Sequence, residues 1–168
     1  MKIHSLCIVK NEEDIIGQVL TAATRWSDYI YVFDNGSNDS TWEQVIELSH
    51  QYGQIVPYKK DSCRWSSQLR GQIFNRYRDN FKPGDWCCRL DADEIYIDNP
   101  IDFLAKVPSQ YQVVGAAMLT YYFSDRDYER YIQNPLSFSD DVPIEAKCRY
   151  YRNNASADIP PFQLSQSE

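Results

Sequence analysis

Basic charge is in short supply: 17 Lys and Arg stand against 24 Asp and Glu, a formal net charge of −7 at pH 7. Generic binding to nucleic acid or to an anionic membrane needs a basic face, so neither is expected. A phosphorylated ligand is still compatible with this charge, provided that local Arg, Lys or a metal ion offsets it. Long apolar runs are also missing. None reaches the roughly 18–20 residues that span a bilayer, and Met1-Lys2-Ile3-His4 opens no signal-peptide h-region. The expectation is a cytoplasmic protein with no transmembrane segment. The five cysteines, Cys7, Cys63, Cys87, Cys88 and Cys148, form an odd set without zinc-ligand spacing. Buried thiols in a reducing cytosol account for them. No internal repeat is visible.

What is present suits one domain with a sizeable core: 168 residues, 43% hydrophobic and 24% charged. Ile3 to Val9 is an apolar run short enough for a buried strand, and it ends in Lys10-Asn11-Glu12-Glu13-Asp14. Asn11 is placed to cap a helix whose Ile15, Ile16, Val19, Leu20 and Ala23 recur at helical spacing. Tyr29 to Phe33 reads as a second strand, followed by the loop Asp34-Asn35-Gly36-Ser37-Asn38-Asp39. Ser40 and Glu43 form a candidate capping box for a helix carrying Trp42, Val45, Ile46 and Leu48, which Gly53 would close. Ile55 to Tyr58 makes a third strand. Ser66 opens a helix with Leu69, Ile73, Phe74 and Tyr77 inward, broken by Pro83-Gly84. Trp86 to Leu90 is the fourth strand.

Strands alternating with helices predict an α/β fold, a mostly parallel sheet flanked by helices. Ligands of such sheets bind beyond the carboxyl ends of the strands. There the chain places Asn11 and Glu12 after the first strand, Asp34 after the second, and Asp91-Ala92-Asp93 after the fourth. Residues i and i+2 of a strand share a face, with Cα atoms roughly 6–7 Å apart. That spacing suits one carboxylate on a Mn2+ or Mg2+ ion and the other on a water or on the ligand, with phosphate oxygens completing the shell. Farther on, Asn99-Pro100 starts a short helix, Val113 to Phe123 and Lys147 to Arg152 are candidate strands, and 153–168 reads as a flexible tail behind a domain spanning 1–152.

Three segments together, Ile8-Val-Lys-Asn-Glu-Glu-Asp14, Val32-Phe-Asp-Asn-Gly-Ser-Asn-Asp-Ser-Thr41 and Arg89-Leu-Asp-Ala-Asp-Glu94, resemble the family 2 glycosyltransferases of GT-A fold. The resemblance implies a single Rossmann-like GT-A domain binding a nucleoside-diphosphate-sugar. Val9, Asn11 and Glu12 would border base and ribose, Asp34 would hydrogen-bond the base, and Arg70 would approach the nucleotide. Asp91 would face the ribose or the metal, and Asp93 would hold Mn2+ or Mg2+ against the diphosphate. The implied reaction is inverting transfer to an acceptor hydroxyl on a glycan, lipid or protein. In the family the general base follows the Asp-x-Asp strand. Here the carboxylates available after it, Asp125, Asp127, Glu129 and Glu145, sit in no motif. A truncated chain is therefore expected.

Other readings compete. Asn11 and Asp39 also fit plain helix caps, Asp34 could serve only the Asn35-Gly36 turn, and Arg70 could be a solvated helix residue. Trp65 and the Tyr121-Tyr122 pair are expected to pack rather than to form a stacking platform. A sugar-phosphate nucleotidyltransferase usually needs a Gly- and Lys/Arg-rich loop after its first strand, where this chain is acidic and glycine-free. A dehalogenase-like phosphatase carries Asp-x-Asp on its first strand, not its fourth. A catalytically incomplete fragment that only binds the donor is the remaining alternative.

Overall fold

A computed structural model of the chain describes residues 1–96 and 98–115, residue 133, and two short strands at 118–120 and 147–149. Ile3–Val9 (β1), Tyr29–Asp34 (β2), Ile55–Lys60 (β3) and Trp86–Asp91 (β4) form one sheet in the order β3-β2-β1-β4. Every pairing in it is parallel. Helices Ile16–Ala23 (α1), Thr41–Gln51 (α2) and Gln68–Tyr77 (α3) connect the strands, and a 3-10 turn at Arg78–Asn80 extends α3. Pro100–Leu104 (α4) follows β4, with the Asn99 side chain accepting from the Ile101 N–H at its start. Met118–Thr120 (β5) and Lys147–Arg149 (β6) pair antiparallel, each within a segment expected to be a strand. Residues 113–115 lie outside β5, and the tail expected at 153–168 lies outside the described residues.

The two inner strands, β1 and β2, are mostly apolar because the sheet is covered on both sides. All seven residues of β1 are buried. Ile3, Cys7 and Val9 point to a cluster built with Ile16, Val19 and Leu20 of α1 and Val45 of α2. Leu6 and Ile8 point the other way, to Tyr31, Phe33 and the α3 residues Leu69 and Ile73. Cys87 and Cys88 divide between the same two clusters, as neighbours in a strand must. Among the described residues no helix is long and apolar enough to cross a membrane. Cys7, Cys63, Cys87 and Cys88 are unpaired, and Cys63 is exposed rather than buried.

Three local expectations fail, two of them in favour of contacts between loops. Asn11 caps no helix: its φ is +55°, and α1 begins only at Ile16. Instead its N–H donates to Ser37 Oγ at 2.9 Å, and its Oδ1 accepts from the Asn38 N–H at 3.0 Å. The expected Ser40–Glu43 capping box does not form. Asp39 Oδ1 accepts from the Thr41 N–H and hydroxyl at the start of α2, while the Ser40 N–H and hydroxyl donate to Glu13. Gly53 needs no left-handed backbone, and Tyr52 closes α2 in extended conformation. For Asn11 and Ser40, polar groups of another loop replace the sequence-adjacent partner.

Gly36 does require its lack of a side chain. It adopts φ +74°, and a Cβ there would lie 2.7 Å from Ser62 Cβ. The absence of that atom lets the loop after β3 close onto the loop after β2. Cys63 N–H donating to Asn35 Oδ1 at 3.0 Å and Asp61 N–H donating to the Asp34 carbonyl at 2.9 Å hold it there.

Candidate functional site

Strand order reverses beside β1: the chain runs outward through β2 and β3, then returns to place β4 on the other side. The crevice beyond the carboxyl ends of the strands at such a point is where open parallel sheets bind ligands. The register sets Val9 against Asp34 and Ile8 against Asp91, so the three strand ends finish at one level. An open cavity of about 300 Å³ occupies this position. It is lined by Ile8, Val9, Lys10 and Glu12 on and after β1, Asn35 after β2, Trp65 before α3, Arg70 on α3, and Arg89, Asp91, Ala92 and Asp93 on and after β4.

Asp91 is held between two guanidinium groups. Arg70 Nη2 donates to its Oδ1, and Arg70 Nε also donates to the Leu6 carbonyl at 3.3 Å, which ties α3 to β1. Arg89 Nη2 lies 3.0 Å from Asp91 Oδ2, and Arg89 Nε donates to the same oxygen at 3.1 Å. The two arginines differ in setting: the Arg70 side chain is 14% exposed, that of Arg89 67%. Burial works against the Arg70 charge, and Asp91 is the neighbour that chiefly sustains it.

Asp93 differs from Asp91. It is exposed on the cavity wall and, among the described residues, makes no hydrogen bond or ion pair. Its charge is felt nearby. The Glu12 carboxyl is raised by burial and then by Asp93, Asp14 and Asp39. That of Glu94 is raised by burial and then by Asp91 and Asp93. A divalent cation at Asp93 would relieve this accumulation of like charge. No group of three or more His, Cys, Asp or Glu among the described residues forms a ready cation cage. One or two carboxylates with the remaining positions left to phosphate and water is the arrangement Mg2+ favours, so the donor set fits that ion and the similar Mn2+.

The cavity thus gathers Val9, Glu12, Arg70, Asp91 and Asp93. Asn11 faces solvent outside it. Asp34 is fully buried behind Asn35: its Oδ1 accepts from the Ser37 N–H at 2.6 Å, while Oδ2 has no partner among the described residues. Asp125, Asp127, Glu129 and Glu145 lie outside the described residues. The sequence reading passed over Lys10, Asn35 and Arg89. Arg89 carried a usable signal, since it precedes Asp91 by two positions in a strand and must share its face. Trp65 is a correction: it packs in neither core cluster and is 61% exposed at the cavity edge. The nearby thiols are poor nucleophiles, for burial pushes Cys7 and Cys87 up to about 12.

Among solved structures the chain is similar to S. aureus TarS, at 15% identity and a TM-score of 0.43 over 73% of this chain and 26% of that one. It is similar also to S. aureus TarS 1-349, at 16% identity and a TM-score of 0.42 over 71% of this chain and 42% of that one. The chain therefore spans less than half the length of either. No curated protein matches it. The family described as Glycosyl transferase family 2 matches over residues 6–163. A parallel four-stranded α/β sheet flanked by helices is what a GT-A, Rossmann-like member of that family has, and with a match over most of its length the chain belongs to glycosyl transferase family 2.

Proposed function

We propose that this domain binds a nucleoside-diphosphate-sugar in the β1/β4 crevice and takes part in metal-dependent, inverting transfer of its sugar to an acceptor hydroxyl. One observation carries the reading: at the point where strand order reverses, a cavity holds two arginines locked on Asp91 and, beside them, Asp93, which has no partner among the described residues. Guanidinium groups match diphosphate oxygens in geometry and charge. Their Asp91 anchor keeps them in place before a ligand arrives. Asp93 would hold Mn2+ or Mg2+, with Glu12 within electrostatic reach, and Asp91 could join only by releasing a guanidinium. Val9 and Asn35 border the nucleoside end. The unpartnered Oδ2 of Asp34 offers an acceptor for a base N–H if the loop at Asn35 opens.

In the reaction the acceptor oxygen bonds to the anomeric carbon from the face opposite the leaving group. The bond from that carbon to the diphosphate oxygen breaks, and its electron pair leaves with the nucleoside diphosphate. A carboxylate takes the hydroxyl proton; Asp125, Asp127 and Glu129 are the candidates in this chain. The metal, when bound, offsets charge on the departing diphosphate. Arg70 and Arg89 add fixed positive charge at the same end. The acceptor would be a glycan, lipid or protein, and the unpaired thiols support a cytoplasmic setting.

Calorimetric titration with a panel of nucleoside-diphosphate-sugars, with and without Mn2+, tests this. Metal-dependent binding of at least one is expected. Folded protein that binds none would refute the donor-site reading. Binding without transfer would reduce the chain to a donor-holding unit.

A further inference from the structure

Trp65 has no role in the core, and its surroundings are built. It is 61% exposed, yet the loop carrying it is fixed to the loop after β2 by the Cys63–Asn35 hydrogen bond and by the close approach of Ser62 to Gly36. Among the described residues the other large exposed hydrophobics, Met1, Ile95, Ile101, Phe103 and Tyr111, do not line the cavity. The cavity is also chemically divided. Asn35 follows the end of β2 and holds the loop that carries Trp65 through Cys63, while Arg89, Asp91 and Asp93 stand where β4 ends. With β1 between β2 and β4, the two groups are separated by about two strand spacings, roughly 10 Å. That is the scale separating a nucleobase from its diphosphate. The charged end suits the diphosphate, which leaves the aromatic and amide end for the base.

We infer that Trp65 is a stacking platform for the nucleobase of the donor, positioned by Gly36 and Asn35 through the loop that carries it. The inference rests on the donor-site reading above. A ring face attracts any base, so Trp65 contributes affinity, and choice among bases falls to hydrogen-bonding groups such as Asn35 and Asp34. Exposure without ligand is then functional: a platform already covered by protein could not receive a base.

The test is calorimetric titration of the full chain, wild type against Trp65→Ala and Trp65→Phe, with UDP, GDP, ADP, CDP and pyrophosphate, each with Mn2+. For the nucleotide that wild type binds most tightly, Trp65→Ala is expected to weaken binding by roughly tenfold or more, and Trp65→Phe by only about threefold. Pyrophosphate, which has no base, is expected to bind all three proteins alike. Equal nucleotide affinity in wild type and Trp65→Ala would overturn the platform while leaving the donor site standing. So would an equal loss for pyrophosphate, since that marks a structural role. Wild-type protein that binds none of the nucleotides would overturn both readings.

Discussion

Arg89 and Asp91 stand two residues apart on β4 and touch, Arg89 Nη2 lying 3.0 Å from Asp91 Oδ2. The same carboxylate is gripped on its other oxygen by Arg70, which arrives from α3 on one face of the sheet. Asp91 is thus a local pin that joins a helix to a strand across the mouth of the cavity. It also sets the two aspartates of one motif apart: Asp91 is paired with both guanidiniums, while Asp93 has no partner among the described residues.

Removing the two arginines should therefore have unequal effects on stability. Arg70→Ala strips a mostly buried hydrogen-bonded charge from Asp91 and should cost about 1.5–3 kcal/mol. Arg89 is largely solvated, and Arg89→Ala should cost no more than about 1 kcal/mol. Urea unfolding of both variants measures this. Equal losses would mean that the strand pair, and not the helix contact, holds Asp91. Both variants should weaken nucleoside-diphosphate binding.

Asp93→Asn should leave the melting temperature almost unchanged, because an exposed side chain with no partner among the described residues contributes within about 0.5 kcal/mol. Its Mn2+-dependent nucleotide affinity should fall by about tenfold or more. Titration with and without Mn2+ reads the second effect. A marked drop in stability would instead give the carboxylate a structural role.

Gly36→Ala forces a left-handed backbone and places a Cβ 2.7 Å from Ser62 Cβ. Gly84→Ala is the comparison: Gly84 has φ +89° but open space around it. Backbone strain alone should cost Gly84→Ala about 1 kcal/mol, and the added clash should take Gly36→Ala to about 2–3 kcal/mol. Gly36→Ala should also displace Trp65 and weaken nucleotide binding, which Gly84→Ala should spare. Unfolding curves and titrations on the same two proteins check both halves.

His4 should make stability fall in mild acid. Its ring is fully buried, stacked on Phe81 with centroids 4.1 Å apart, and its Nε2 lies 3.5 Å from Asp85 Oδ2. Burial lowers its basicity, more than the hydrogen bond to Asp85 and the charges of Asp85 and Asp28 restore it, and Lys2 opposes the proton further. The unfolded chain takes up the proton near pH 6.5 and the folded one only at lower pH. Stability from neutral His4 is thus complete above about pH 6.5 and declines below it, by at most about 1.4 kcal/mol per pH unit. Glu12 and Glu94, both raised in the fold, act in the opposite sense, adding stability as the pH falls toward their ordinary carboxylate range. The comparison is urea unfolding of wild type and His4→Phe from pH 8 to 5. A slope common to both proteins would exclude His4 as its source.

Much of the architecture was legible along the chain. Apolar runs at Ile3–Val9 and Tyr29–Phe33, broken by turn residues, announce buried parallel strands, because a sheet covered on both faces leaves no room for polar alternation. Asp91 and Asp93 were placed at a strand end by the same pattern. Local polar chemistry was read less well. Asn11, Ser40 and Gly53 suggested helix caps by propensity, yet Asn11 and Ser40 are used to bind loops distant in sequence.

The amino-acid pattern by itself determined that the strands alternate with helices and that acidic groups gather at the strand ends, since both follow from periodicity over a few residues. Tertiary structure alone decided which of those groups are already satisfied. Arg70 reaches Asp91 only because β4 returns beside β1, and Trp65 stands open at the cavity only because Gly36 admits Ser62. Hydrogen-bond and ion-pair energies depend on atoms brought within about 3 Å, and for these residues the strand order and the loop packing set that distance.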